Sequence, residues 1–427
     1  MLPPPGDPVT SLYVHVPFCA HKCEYCAFYS EAANGEIINR YVQALLRELE
    51  LVAADLQPQT IFFGGGTPSL LNLRQWEQIL SAMQRLNLAG AAEWTVECNP
   101  ATVSPDKARL LRSGGVNRIS MGVQSLSETL LDRLGRIHSR EMVFKSFDTL
   151  RAAGFDNLNL DLMFAIPGQT LEVWRETLDE AMALGSEHLS SYEVIYEEDT
   201  PLYEQLKAGQ FAVNEDLACA MYEELLSRTA SAGFHQYEIA NFARDQINVT
   251  KAAPSLESPN AAKSFPLSPR ERAGVRVDNF LPAHHSHPTP FIPSHACGHN
   301  INYWRGGSFY GLGPSATGYV RGVRAKNWSN TLLYCGQLEK GVRAIESREE
   351  LAPRARAGEI AAFGLRMNAG WPFEQFRRVT GWDLRQEWSR EIHNLVERGW
   401  GRADDLHFQL TPAGLRFADS AAELFLR

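Results

Sequence analysis

No stretch of this 427-residue chain reaches the roughly 18 uninterrupted apolar residues that a membrane-crossing helix needs, so an integral membrane segment is not expected. Positive charge is also short. Lys and Arg number 41 against 50 Asp and Glu, a net charge of −9, which leaves no basic footprint to attract a phosphate backbone. No nucleic-acid partner is expected. The opening MLPPPGDPVTSLYVHVPF lacks both the basic and the apolar region of a leader peptide, and a soluble, cytoplasmic protein is the expectation. Cysteine is scarce and odd in number, seven in all. Three of them, Cys19, Cys23 and Cys26, crowd together, which suits metal ligation in a reducing compartment better than a disulfide framework.

From Leu12 to about Glu193, short β-branched or aromatic runs alternate with longer amphipathic stretches, the pattern of β–α units around a parallel sheet. Strands are expected at Leu12–Val16, Thr60–Phe63, Trp94–Glu97, Arg118–Gly122, Asn157–Met163 and His188–Glu193. Helices are expected at Asn39–Ala54, Leu73–Leu86, Pro105–Arg112, Arg140–Ala153 and Leu171–Leu184. That makes an α/β fold with a partial (β/α)6 barrel. Polar or glycine-rich residues recur at the strand ends: the cysteine loop, Gly64–Pro68, Glu97, Gln124, Asp161 and Tyr192–Glu193. In a parallel barrel those ends share one rim, where active sites are built.

Residues 245–295 break the pattern with proline, serine and histidine, and a disordered insert is expected there. Its histidines are a weak metal candidate beside their polar, low-complexity context. Residues 1–244 are read as the core barrel and its extension, 296–348 as a segment covering the site, and 349–427 as an α-rich domain. The latter's GRADDLHFQLTPAG predicts a winged-helix-like hairpin.

The segment YVHVPFCAHKCEYCAF places C-x3-C-x2-C directly after a strand. Three thiolates can hold a [4Fe–4S] cluster while leaving one iron open, since such clusters ordinarily take four cysteines. A structural zinc site is the bland alternative and needs a fourth Cys or His, for which Cys98 and His21 are candidates. With its strand context, the motif resembles that of the radical S-adenosylmethionine (SAM) superfamily. That resemblance implies SAM chelated to the open iron. It also assigns Tyr25 to the adenine, Gly65, Gly66 and Thr67 of GGGTP to the SAM amino group, and Tyr13, Glu97, Gln124, Arg136 and Asp161 to further SAM contacts. Packing over the cluster is the plain alternative for Tyr25, a tight turn for the glycine run, and a strand-end hydrogen bond or surface salt bridge for the others taken singly.

The motifs YVHVPFC, GGGTP, VECNP, GVQS, IPGQT, YEIANFAR and CGHNINYWRGG together resemble one subfamily over nearly all of the chain except the insert. It contains the oxygen-independent coproporphyrinogen III oxidase and a heme-chaperone relative. The oxidase has a fourth cysteine two residues after the third and a longer segment before the motif. Here Phe28 stands at that position and 18 residues precede Cys19, so the chaperone branch is expected and coproporphyrinogen oxidation is not. The oxidase, or a radical SAM enzyme on an unrelated substrate, remains as a competing reading. His299–Trp304 resembles a heme-binding motif, which implies heme contacts at His299, Asn300, Tyr303 and Trp304. Cys297 is a further candidate ligand, and a small buried residue is its plain alternative. The implied partners are heme and a heme-accepting protein such as a respiratory enzyme; homodimerisation stays open. Two positions depart from the subfamily: Ala165 stands where glycine is common, and Thr317 where histidine often is.

Overall fold

The computed structural model describes residues 7–32, 34–245 and 291–426. Most of the expected insert therefore lies outside the described residues. All six expected strands are present: β1 (Val9–Val16), then, past the short β2 (Phe18–Cys19) and β3 (Glu31–Ala32), β4 (Leu56–Gly65), β5 (Glu93–Cys98), β6 (Arg118–Gln124), β7 (Leu158–Phe164) and β8 (His188–Glu193). Neighbours among these six pair in parallel throughout. The helices α1 (Gly35–Val52), α2 (Leu73–Arg85), α3 (Pro105–Ser113), α4 (Glu128–Arg133), α5 (Arg140–Ala152) and α6 (Leu171–Ala183) cross between them. Local sequence starts these helices. Asn72 and Gln75 form a capping box, while Ser104, Ser139 and Thr170 each accept a first-turn N–H.

Alternation along each strand divides the barrel into two environments. Leu158, Leu160, Leu162 and Phe164 of β7 join the apolar core, which packs against the helices. The intervening Asn159 and Asp161 hydrogen-bond to Ser120 of β6. Thr95 with Arg118, and Ser11 with Thr60, behave in the same way. The barrel is thus apolar toward its helices and polar within.

Beyond α7 (Pro201–Lys207) and α8 (Glu215–Ser231), the sheet gains β9 (His235–Glu238) and β10 (Asn241–Ala243), paired antiparallel on the β8 side. After the insert, α9 (Gly298–Trp304) leads to β11 (Tyr310–Leu312), which pairs in parallel with β1. The sheet order β11-β1-β4-β5-β6-β7-β8-β10-β9 leaves the barrel unclosed by strand pairing. A second sheet of β12 (Thr317–Val320), β13 (Val323–Asn327) and β14 (Ile345–Glu350), with α10 (Thr331–Glu339), follows. Residues 349–350 belong to that sheet, two residues past the boundary drawn from sequence.

The terminal domain has its own core, including Trp371, Phe376, Trp388 and Phe408. Its three-stranded sheet contains the hairpin expected from GRADDLHFQL, at Gly401–Ala403 and His407–Leu410, with Trp371–Pro372 alongside. Arg366 pairs with buried Glu238 at 2.9 Å, and Arg305 donates to the Gly370 carbonyl at 2.6 Å, fastening this domain to β9 and α9.

Glu48 of α1 is fully buried, and burial raises its pKa. It accepts from the Gly313 N–H, Asn327 Nδ2 and the Tyr334 hydroxyl, all at 2.8–2.9 Å, and so ties α1 to the second sheet and α10. Replacing it strands three donors, so Glu48→Ala is expected to cost about 3 kcal/mol in urea unfolding. A loss below about 1 kcal/mol, the net value of an ordinary hydrogen bond, would show that water substitutes for the carboxylate. Ala165 adopts φ +57°, the left-handed region that glycine tolerates and that accords with the glycine expected there from the resemblance. Ala165→Gly is expected to stabilise the fold by about 0.5–1 kcal/mol, and a destabilisation would show the backbone to be unstrained.

Candidate functional site

The cysteine loop leaves β1 and is closed at its base by the parallel β2–β3 contact, Phe18 opposite Glu31. Within the loop, Cys26 N–H bonds the Cys23 carbonyl at 3.2 Å, and Glu24 N–H bonds the Leu134 carbonyl at 3.0 Å. His15 fixes its far end by donating from Nε2 to the Tyr29 carbonyl at 2.9 Å. Burial lowers the His15 pKa, so Nδ1 is free to accept from the Tyr13 hydroxyl at 2.9 Å.

A cavity of about 510 Å³ opens at the carboxyl ends of the strands. Cys19, Cys23 and Cys26 line it, together with Tyr25, Gly65, Gly66, Thr67, Glu97, Gln124, Arg136 and Asp161. Eight of the nine residues assigned to SAM from sequence therefore meet in one space. Tyr13 is not among the lining residues; its hydroxyl is spent on His15 inside the barrel. Ser120, Met163 and Ile195 also line the cavity and were not singled out from sequence. Ser120 and Met163 alternate inward on strands already recognised, so the signal was there.

The walls explain the glycines. A Cβ on Gly66 would lie 2.7 Å from the Val16 carbonyl oxygen and 2.8 Å from that of Phe18. Gly65 holds φ +101°, and a side chain there would meet the His15 ring at 2.3 Å. The backbone thus passes close under the cysteine loop, with Gly66 and Thr67 N–H bonded to those two carbonyls.

The electrostatics are those of a site prepared for a ligand. Glu97 is half-buried in the cavity wall; desolvation first, then the Asp161 carboxylate, pushes its pKa up to about 8, although the Gly65 N–H donates to it at 3.0 Å. Asp161 is likewise raised by burial, against donation from Ser120 and Asn159. Arg136 reaches Cys23 Sγ at 3.5 Å and the Gly122 carbonyl at 2.6 Å, and its buried Nε has no partner. Buried donors left unpaired are uncommon and are what a bound anionic group satisfies. Among the described residues, no three His, Cys, Asp or Glu side chains converge as ligands of a single ion would.

His299 lies elsewhere. Its helix α9 crosses the amino ends of the strands, with His299 Nδ1 2.9 Å from the Thr60 hydroxyl and Nε2 2.7 Å from that of Tyr303. The ring stacks on Phe62 at 5.3 Å. Burial, then Arg118, lowers its pKa to about 3, so the imidazole is neutral. Glu93 of β5 accepts from the Gly298 and His299 N–H groups. Trp304 leans toward Tyr237 at 6.2 Å, and Asn300 is half-buried. None of His299, Asn300, Tyr303 and Trp304 lines the cysteine cavity, nor does any other residue of 296–348.

Residues 13–181 match the radical SAM superfamily, and residues 351–417 match the HemN C-terminal domain. The chain is 31% identical to the heme chaperone HemW of Escherichia coli over 98% of both chains. The chain belongs to the HemW family of radical SAM proteins. HemW of Bacillus subtilis gives 30% identity over 97% of this chain and 99% of that one. The structure of Escherichia coli coproporphyrinogen III oxidase (HemN) superposes with a TM-score of 0.76, covering 99% of this chain and 90% of that one at 19% identity, which speaks for the fold. The radical SAM family implies a [4Fe–4S] cluster and SAM, and the cavity residues fit both. No helix of the described residues is long and apolar enough to cross a membrane.

Glu97 gives a pH test in cofactor-free protein. Its native pKa of about 8 exceeds the usual 4.5, so its contribution to stability is complete below about pH 4.5 and is lost as pH rises through about 8. Wild type is expected to lose stability across that window relative to Glu97→Gln, by up to about 1.4 kcal/mol per pH unit in chemical unfolding. Parallel pH curves for the two proteins would place Glu97 at an ordinary carboxylate pKa.

Proposed function

We propose that this protein is a heme chaperone: it holds a [4Fe–4S] cluster on Cys19, Cys23 and Cys26, keeps SAM beside it, binds heme, and passes the heme to an acceptor protein such as a respiratory enzyme. The observation that carries the reading is the cavity, which three thiols, a guanidinium whose buried Nε has no partner and two carboxylates of raised pKa line together. When bound, the cluster supplies an electron to the SAM sulfonium. Arg136 offers its free donor to the SAM carboxylate, a charge-assisted pairing. Glu97, held near neutrality until a cation arrives, takes the ammonium. Asp161 accepts from ribose hydroxyls, and the half-buried ring of Tyr25 packs on the adenine. Burial raises the Cys19 and Cys26 pKa values, so cluster assembly releases protons from these thiols.

Heme contact is assigned to His299, Asn300, Tyr303 and Trp304. A neutral imidazole is the form that ligates iron, and the low His299 pKa supplies it at physiological pH. Ligation requires one ring nitrogen to give up Thr60 or Tyr303, so α9 must shift when heme enters. Phe28, where the oxidase has a cysteine, is 69% exposed at the cavity mouth and supports chaperone over oxidase. A cytoplasmic setting accords with this reading.

The test is anaerobic reconstitution with iron and sulfide followed by heme titration in the Soret band. Wild type is expected to bind about one heme saturably, and His299→Ala at least tenfold more weakly, the loss of about 1.4 kcal/mol. Cys23→Ala is expected to lose the cluster absorbance. No heme binding by wild type, with vinyl product formed from coproporphyrinogen and SAM, would overturn the chaperone reading in favour of the oxidase.

A further inference from the structure

The cavity and α9 lie at opposite ends of the barrel, yet one file of side chains joins them. Asn159 Nδ2 donates to Asp161 Oδ1 at 2.8 Å. His188 Nδ1 lies 2.6 Å from Asn159 Oδ1, and its Nε2 lies 2.7 Å from the Tyr237 hydroxyl. The Tyr237 oxygen accepts from the Cys297 N–H at 3.0 Å, immediately before the first residue of α9. Asn159, His188 and Tyr237 are at most 1% exposed, so no bulk water can replace a broken link.

The donors along this file share one direction. Asn159 spends its N–H groups on Asp161 and Ser120, so its carbonyl oxygen faces His188 and Nδ1 must carry the proton. Burial, then Arg118, lowers the His188 pKa, so the ring is neutral and Nε2 accepts from the Tyr237 O–H. Each link from Cys297 onward therefore donates toward Asp161, and the file ends on a carboxylate that lines the cavity. Hydrogen bonds in such a chain polarise one another in a low-dielectric interior.

We propose that occupancy of the cavity at Asp161 is transmitted to the start of α9 along the file Asp161–Asn159–His188–Tyr237–Cys297. A ligand hydroxyl donating to Asp161 holds it as the anion, every link upstream tightens, and the first turn of α9 is held more firmly. The proposal rests on the reading of the cavity as a SAM site. It extends that reading by making SAM a regulator of the helix that carries His299.

The experiment uses protein reconstituted anaerobically with iron and sulfide, with and without saturating SAM. Equilibrium dialysis measures SAM retention, and hydrogen–deuterium exchange with mass spectrometry follows residues 298–304. In wild type, SAM is expected to slow exchange of that segment about fivefold or more, the low end of site–site coupling. Tyr237→Phe removes one hydroxyl from the file and is expected to retain SAM while losing the response. Asn159→Leu cuts the file at a second place and should do the same, which guards against one variant failing to fold. Ser146→Ala, which removes a buried hydroxyl that donates to the Pro100 carbonyl at 2.7 Å and touches no member of the file, should keep the response. SAM retained by wild type with unchanged exchange would overturn the coupling alone. So would loss of the response in Ser146→Ala, or its persistence in both cut variants. Failure of wild type to retain SAM would instead overturn the reading of the cavity and the proposal with it.

Discussion

The polar interior of the barrel is the constraint from which the rest follows. Arg118 is a fully buried cation, with its nearest partner the Thr95 hydroxyl at 3.4 Å, and it stands in the field of Glu93, Asp161 and Glu97. An unpaired buried charge costs several kcal/mol, so Arg118 depends on the field of the carboxylates around it. The three carboxylates differ in what else they hold. Glu93 binds the backbone of α9, Asp161 is shared by Ser120 and Asn159, and Glu97 has only the Gly65 N–H. Glu97 is therefore the least satisfied of the three, and with its pKa pushed up to about 8 it is where a cationic group of a ligand has most to contribute.

The same constraint explains α9. A barrel whose strand pairing stops at β11 and β9 would expose its polar lower layer unless something covered it. The segment from Cys297 to Trp304 does so with its own backbone donors on Glu93, with His299 on Thr60 and Phe62, and with Arg305 reaching over to the terminal domain. The segment that resembles a heme-binding motif is thus also a structural plug.

The order of strands and helices could be read from the chain because parallel β–α units carry a strong periodic signal, and Glu97, Gln124, Arg136 and Asp161 could be placed at one rim by counting strand ends. Three things could not. Tyr13 sits beside the expected contacts in sequence, yet alternation turns its hydroxyl to His15 rather than into the cavity. The pairing of β9, β10 and β11 with the main sheet depends on chain segments too short to show a period. The separation of His299 from the cysteines depends on which end of the barrel α9 covers, and that follows from Glu93 opening β5 with Thr60 of β4 opposite it, a fact of register and not of local pattern.

Where the insert enters the fold follows from the same register. Ala243 of β10 pairs with His188, the first residue of β8, so the chain departs at the amino ends of the strands, away from the cysteine cavity. It returns beside its point of departure. The His295 N–H meets the Arg244 carbonyl at 3.4 Å and the Ser294 N–H meets Asp245 Oδ1 at 3.1 Å. The described residues on either side of 246–290 are thus held to one another beside the residues that lead into α9, at the end of the barrel away from the cavity that Cys19, Cys23 and Cys26 line.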